Sequence, residues 1–276
     1  MKYLILSDLH ISADAVASQF KLEKYKRILK NNIKNDYDVV LISGDVFEHG
    51  VTKSVNVFEV LEEMFDHKPV IFCLGNHEFA YEKYETVLKR YYAQSEIYHF
   101  KNPNGKVICL DVSEYADLED CRIVGNVFWY DWSLNHCRVL MKGEIAPGWL
   151  DKTIKDFDAM KAHEECKKQI FDSLSDTKNH ILLTHMVPHE KLNMFSIEEP
   201  TSPYNAHSGV ADFLNEIKDK NFKFAFCGHT HRNANLDLYG IKCLNIGNDY
   251  YFRTMKIRHA IFDLDENLNI KEFLIK

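Results

Sequence analysis

The chain has 276 residues, of which 46% are hydrophobic and 27% charged. That composition excludes a disordered or fibrous chain and is enough to bury a sizeable core. A formal charge of −7 with no basic block argues against a surface that neutralises long runs of nucleic-acid phosphate.

In chain order, "YLILS" (3–7) reads as a buried strand. "FKLEKYKRILKNNI" (20–33) follows as a helix, with Leu22, Tyr25, Ile28 or Leu29 and Ile33 at helical spacing and lysines opposite. "DVVLIS" (38–43) is a strand, and "SVNVFEVLEEMF" (54–65) a helix that Ser54 can cap. "PVIFCL" (69–74) is a strand and "YEKYETVLKRYYA" (81–93) a helix. This alternation predicts parallel strands joined by crossover helices.

The middle is less regular: "KVICLDVSEY" and "CRIVGNVFWYDW" read as strands, then 159–174 as a helix and "HILLTH" (180–185) as a strand. A proline-bearing loop leads to a predicted helix over 209–220 and the strand "FKFAFCG" (222–228). The last fifty residues read as short strands and turns. No repeat or linker-like shift divides the chain, so residues 1–276 are expected to form one domain. The seven cysteines, at 73, 109, 121, 137, 166, 227 and 243, form no C-x-x-C and are expected to be buried, reduced thiols. No stretch has the length of a membrane span and "MKYLILSDLHIS" does not read as a targeting signal, so a cytoplasmic location without membrane partners is expected.

Five strand-like runs end in the same kind of residue. They deliver Asp8 and His10, Asp45, Asn76 and His77, His185, and His229 and His231. Ligands of α/β sheets bind at the carboxyl ends of strands. Asp8 and His10 are i and i+2, as are His229 and His231, so each pair can share a face of an extended backbone. Each residue alone has a capping, turn or surface role open to it. Eight groups suited to metal binding or proton transfer at separate strand ends are a different matter.

These blocks resemble the calcineurin-like metallophosphoesterases. The family pattern D-x-H, G-D-x-x-[DE], G-N-H-[DE], a lone H and G-H-x-H is met by "DLH" (8–10), "GDVFE" (44–48), "GNHE" (75–78), His185 and "GHTH" (228–231). The resemblance implies a four-layer α/β/β/α sandwich of two mixed sheets flanked by helices. It also implies two divalent ions, one on Asp8, His10, Asp45 and His231, the other on Asp45, Asn76, His185 and His229. His77 would not ligate but would donate a proton or touch phosphate, and Glu78 would support the site or start a helix. Donors of this mixture without thiolate suit Mn²⁺, Fe, Zn²⁺ or Ni²⁺ more than Ca²⁺ or a structural zinc; Mn²⁺ is the expected ion, with Fe, Zn²⁺, Ni²⁺ or Mg²⁺ as alternatives. Such an ion pair clamps a phosphoryl group and supplies a bridging hydroxide.

The expected substrate is a phosphate ester. The protein phosphatases of the superfamily carry two arginines in these blocks, where this chain has His49 and Leu74. A dianionic monoester thereby loses two bidentate contacts, which favours a diester such as a nucleotide, another small diester or an RNA end. A monoesterase or protein phosphatase and a nuclease are the alternatives, and a non-catalytic scaffold of the same fold a minor one. Only 45 residues follow His231, so duplex DNA is not expected as a partner. Trp129 or Tyr130 can stack on a base unless their run is core. Arg232 and Arg253 can touch substrate or lie on the surface, and His207 is a surface residue unless its loop acts as a lid.

Overall fold

The computed structural model describes residues 1–119, 121–137, 140–194, 198–248 and 256–276. Two six-stranded sheets form its centre. In the first, β1 (Lys2–Leu6), β2 (Val39–Ser43), β3 (Val70–Cys73) and β4 (Val107–Cys109) run parallel. The antiparallel strands β11 (Ala260–Leu264) and β12 (Ile270–Ile275) extend it beyond β1. The second sheet has the order β5 (Ala116–Asp117), β6 (Cys121–Asn126), β7 (Asn179–Thr184), β8 (Phe222–Cys227), β10 (Ile241–Ile246), β9 (Asn233–Leu238). Its four inner strands are parallel and its two edges antiparallel.

The period-two alternation of each strand divides its side chains between two cores. Tyr3, Ile5, Val39, Leu41 and Ile71 meet Ile123, Ile181, Leu183, Phe224 and Leu244 between the sheets. The intervening Leu4, Leu6, Val40, Ile42 and Phe72 belong instead to the core shared with the helices. Burial on both faces explains why these strands read as continuous apolar runs. The helices are α1 (Ala13–Val16), α2 (Gln19–Asn32), α3 (Val57–Met64), α4 (Asn76–Phe79), α5 (Tyr84–Lys101), α6 (Ala159–Asp172) and α7 (Leu214–Ile217). Two mixed sheets flanked by helices are thus the expected sandwich.

Several boundaries differ from those the sequence predicts. Helix α3 starts later, because Asn56 and not Ser54 caps it: the Asn56 side chain accepts from Phe58 N at 3.0 Å. Helix α5 runs on to Lys101, with Tyr91, Ser95 and Tyr98 continuing its buried face. The helix expected over 209–220 shrinks to α7, because bridges Val187–Gly209 and His189–Asp212 hold the preceding residues extended. Strand β6 stops at Asn126, since Phe128 and Trp132 take φ of 55° and 63°. All seven cysteines are free thiols; six are buried and Cys137 is half-buried. Among the described residues, no helix is long and apolar enough to cross a membrane.

Candidate active site

The parallel strands β1, β2, β3, β7 and β8 end at residues 6, 43, 73, 184 and 227, and each candidate follows within a few positions. Two of the sheets' edges meet there: His185, after β7, donates from Nδ1 to Ser43 O at the end of β2 (2.9 Å). Turning a side chain from the sheet face to its edge needs a sharp local bend. Asp8, His10, Asp45, His229 and His231 make it in the left-handed region, with φ between 46° and 68°. Such conformations cost non-glycine residues about 1–3 kcal/mol each and persist where packing enforces them, typically at functional sites. Here the bends are held by bonds between strand ends, Asp8 N to Gly44 O (3.0 Å) and His10 N to Asp45 O (2.9 Å).

All eight predicted residues come together. Asp45, buried at 1% exposure, is the centre. His185 Nε2 lies 3.4 Å from its Oδ1, and His10 Nε2 and His77 Nε2 each lie 3.8 Å from its Oδ2. On one side Asp8, His10 and His231 converge, with His231 Nε2 3.8 Å from Asp8 Oδ1. On the other, His185 Nε2 is 3.2 Å from Asn76 Oδ1 and 3.1 Å from His229 Nδ1.

Outer hydrogen bonds fix which atom of each side chain faces inward. His185 uses Nδ1 on Ser43 O, and His229 donates from Nε2 to His207 O (3.1 Å). Asn76 donates from Nδ2 to Asp151 Oδ1 (2.8 Å). The inward atoms are therefore an amide oxygen, a carboxylate oxygen and two imidazole nitrogens, all electron-pair donors. Donors at such spacing repel unless a cation lies among them. Counting protein groups alone, that cation is a proton on His185. Burial opposes its charge, but Asp45 and then Asp8 outweigh burial and hold its pKa up at about 10. Burial and the His185 charge together push the His229 imidazole well down. The groups thus fit a divalent ion, and the outer bonds are of the kind that orients metal ligands.

His77 sits at the rim beside Asp45. Glu48 accepts from Nδ1 of both His10 (3.0 Å) and His77 (3.1 Å), which turns their Nε2 atoms toward Asp45. Burial resists the charge of Glu48, yet those two imidazoles hold its carboxyl at about 2. For His77, burial lowers and Asp45 and Glu48 raise, with a net rise to about 9, so it is an imidazolium at neutral pH when only protein groups act on it. Glu78 accepts from Phe47 N and Gly75 N, both at 2.8 Å, and starts α4 as a buried positioning group. Gly75 is required by contact, since a Cβ there would lie 2.1 Å from Asp45 Oδ1.

The site opens into a cavity of about 580 Å³ whose walls include Trp149, Tyr204, Glu199 and Arg232. Sequence reasoning missed this aromatic wall. Trp149 and Tyr204 stack at 5.2 Å and 25°, and Trp149 meets His229 in a T-shaped contact at 5.8 Å. Of the two readings open to Trp129 and Tyr130, stacking on substrate or core, the structure has the core: both are fully buried, Trp129 packed on Phe157 and Phe79 and Tyr130 on His207. His207 is no surface or lid residue. It is buried, accepts from Ala146 N on Nε2 (3.0 Å), and burial pushes its pKa down to about 4. Arg232 does line the cavity, exposed and paired with Glu198 at 3.2 Å. Arg253 lies outside the described residues. Asp151 was also unsuspected: it is buried and accepts from Asn76 and from Trp149 Nε1 (2.9 Å), joining the wall to the inner groups.

Residues 1–233 match the family model of the calcineurin-like phosphoesterases. The chain belongs to that family. It is therefore a phosphoric ester hydrolase, from a family that depends on divalent metal ions. Two solved structures share the fold. One is the phosphopantetheinyl hydrolase of Mycobacterium tuberculosis, with 13% identity, TM-score 0.59 and 92% of each chain covered. The other is TT1561 of Thermus thermophilus, with 15% identity, TM-score 0.57 and coverage of 100% of this phosphoesterase and 97% of that chain. No curated protein matches the phosphoesterase significantly.

Proposed function

We propose that this phosphoesterase hydrolyses small phosphodiesters with two metal ions, preferably Mn²⁺. Asp8, His10, Asp45 and His231 would hold one ion, and Asp45, Asn76, His185 and His229 the other. The observation that carries the dinuclear reading is the convergence of inward donors on both sides of Asp45. Two such ions supply Lewis acidity toward the phosphoryl oxygens and a nucleophile at neutral pH. The protein's own share is orientation. Ser43, His207 and Asp151 aim three donors, Glu48 aims two imidazoles, and Trp149 with Tyr204 offers a flat apolar wall for one ester arm.

The diester preference rests on what the cavity lacks. Leu74, at one of the two positions where superfamily phosphatases carry arginine, is fully buried in the core. His49, at the other, is exposed beside Tyr81, outside the cavity walls. Arg232 lines the cavity but is paired with Glu198. One negative charge on the phosphoryl group suits this wall better than two. The test is kcat/KM for bis(4-nitrophenyl) phosphate against 4-nitrophenyl phosphate on the Mn²⁺-loaded protein. We expect the diester to lead by about tenfold or more, a margin of about 1.4 kcal/mol. A lead for the monoester overturns the preference.

His77 is proposed as the proton donor to the leaving alkoxide. His77→Ala should then slow an alkyl ester by about 10²-fold, the usual range for general acid help, while nitrophenolate release falls far less. Equal losses on both would remove that role. A second prediction concerns protons. His185 holds its proton up to about 10, so at pH 8 it must surrender that proton on ligating. Calorimetry of Mn²⁺ binding in two buffers of different ionisation heat should register release of about one proton or more. No buffer dependence would exclude His185 as a ligand.

A further inference from the structure

The catalytic cavity holds about 580 Å³, room for a small organic arm beside the phosphoryl group. One wall of it is a run of flat rings. Trp149 lies near-parallel to Tyr204 (5.2 Å, 25°) and to His207 (5.6 Å, 31°). His207 is closed off by Tyr130 and Trp132, whereas Tyr204 lines the cavity and stays 38% exposed. The run therefore ends in a ring that a ligand can reach. It is also held in place. Trp149 Nε1 donates to Asp151 Oδ2 at 2.9 Å, and Tyr204 stands in the 3₁₀ turn Pro203–His207. Aromatics fixed in advance bind flat rings at little entropic cost. Glu199, Ser208 and Arg232 line the same cavity and give it polar groups. An aliphatic arm would desolvate those groups without pairing them, while the heteroatom edge of a nucleobase can pair with them.

We propose that the substrate is a nucleoside phosphodiester, that its base stacks on Tyr204, and that the nucleoside is the arm that stays on phosphorus. The proposal rests on the diester reading and adds which arm is recognised and which leaves. The two sides of the site carry the second part. Trp149 meets His229, on the side of Asp45 Oδ1 where His185 lies. His77 meets His10, and both turn Nε2 toward Oδ2. A base on the wall thus leaves the other arm toward His77, the proposed proton donor. Water's oxygen then bonds to phosphorus, the bond to the leaving oxygen breaks, and that oxygen takes the His77 proton; a proton of the water makes good the loss. The products are a nucleoside monophosphate and an alcohol.

Binding is tested with two phosphate monoesters that differ in the base, adenosine 5′-monophosphate and ribose 5-phosphate, titrated calorimetrically into the Mn²⁺-loaded protein. We expect the nucleotide to bind about tenfold or more tighter, the usual worth of one stacked base. Tyr204→Phe keeps a ring and should keep that margin; Tyr204→Leu should lose most of it. Tyr204 is exposed, so both variants should fold. Equal affinities in the unaltered protein, or a margin that Tyr204→Leu retains, overturns the proposal. Turnover tests the arm. Thymidine 5′-(4-nitrophenyl) phosphate and butyl 4-nitrophenyl phosphate share charge and leaving group. Their kcat/KM should favour the nucleoside ester by about tenfold in the unaltered protein and by far less in Tyr204→Leu. No lead for the nucleoside ester overturns the proposal as well. The diester reading fails separately, by a lead of 4-nitrophenyl phosphate over bis(4-nitrophenyl) phosphate, and the comparison of the two monoester ligands does not depend on it.

Discussion

Asp45→Ala is expected to lower kcat/KM by about 10³ or more and to strip metal from the protein. The Asp45 carboxylate lies within 4 Å of His10, His77 and His185 together, and its Oδ1 also accepts from His77 N at 3.0 Å. Removing it takes a shared ligand from both proposed ions, each of which contributes several kcal/mol of charge stabilisation at about 1.36 kcal/mol per decade. The loss is also electrostatic. His185 keeps its proton against burial largely because of Asp45, so the alanine variant should lose the raised histidine as well. Asp45→Asn separates the two effects, since the amide oxygen can still accept from His77 N. Metal content by emission spectroscopy, together with turnover, is the check. Retention of both metal and activity in Asp45→Ala would remove Asp45 from the centre.

Gly44→Ala should be nearly as damaging, although Gly44 has no functional group. Its φ is +76°, and a Cβ there would lie 2.4 Å from His185 Nδ1 and 2.5 Å from the Cγ of that ring. Strain at positive φ costs about 1–3 kcal/mol, and overpacking a closed site typically another 1–3 kcal/mol. The imidazole cannot give way cheaply, because it is fully buried and bonded to Ser43 O. The midpoint of thermal unfolding should therefore fall by roughly 5–15 °C, at about 2–4 °C per kcal/mol for a chain of this length. Activity should fall too, because the ring that moves carries a proposed ligand. Gly143→Ala is the control: its φ is +91°, but nothing lies within 4 Å of the added carbon. Equal melting shifts in the two variants would mean that backbone strain alone is felt and that the His185 contact is not tight.

The residues that converge were legible because strand ends leave a local trace. Apolar runs of four to six residues end in Asp, Asn or His, and the sheet gathers those ends at one edge. Their backbone conformation was not legible. Five of them adopt the left-handed region, which Asp and His enter more often than most residues but still too rarely for sequence alone to place it. Glu78 was read as a residue that supports the site or starts a helix, and it does both, accepting from Phe47 N beside Asp45 and from Gly75 N at the start of α4. Asp151 and Trp149 left no signal, because their partners Asn76 and His229 are more than seventy residues away in sequence. The same distance effect left the reading of 127–132 open between core and substrate contact. An aromatic run looks alike whether it faces solvent or core, and here the turn at Phe128 sends Trp129 and Tyr130 inward.

The most direct test of the central claim is a metal titration. The chelated protein is given Mn²⁺ in steps while hydrolysis of bis(4-nitrophenyl) phosphate is followed. Activity should be absent at the start, rise with added metal and saturate at two ions per chain. Full activity after chelation, or saturation at a single ion, would contradict a reaction run by two ions held on either side of Asp45.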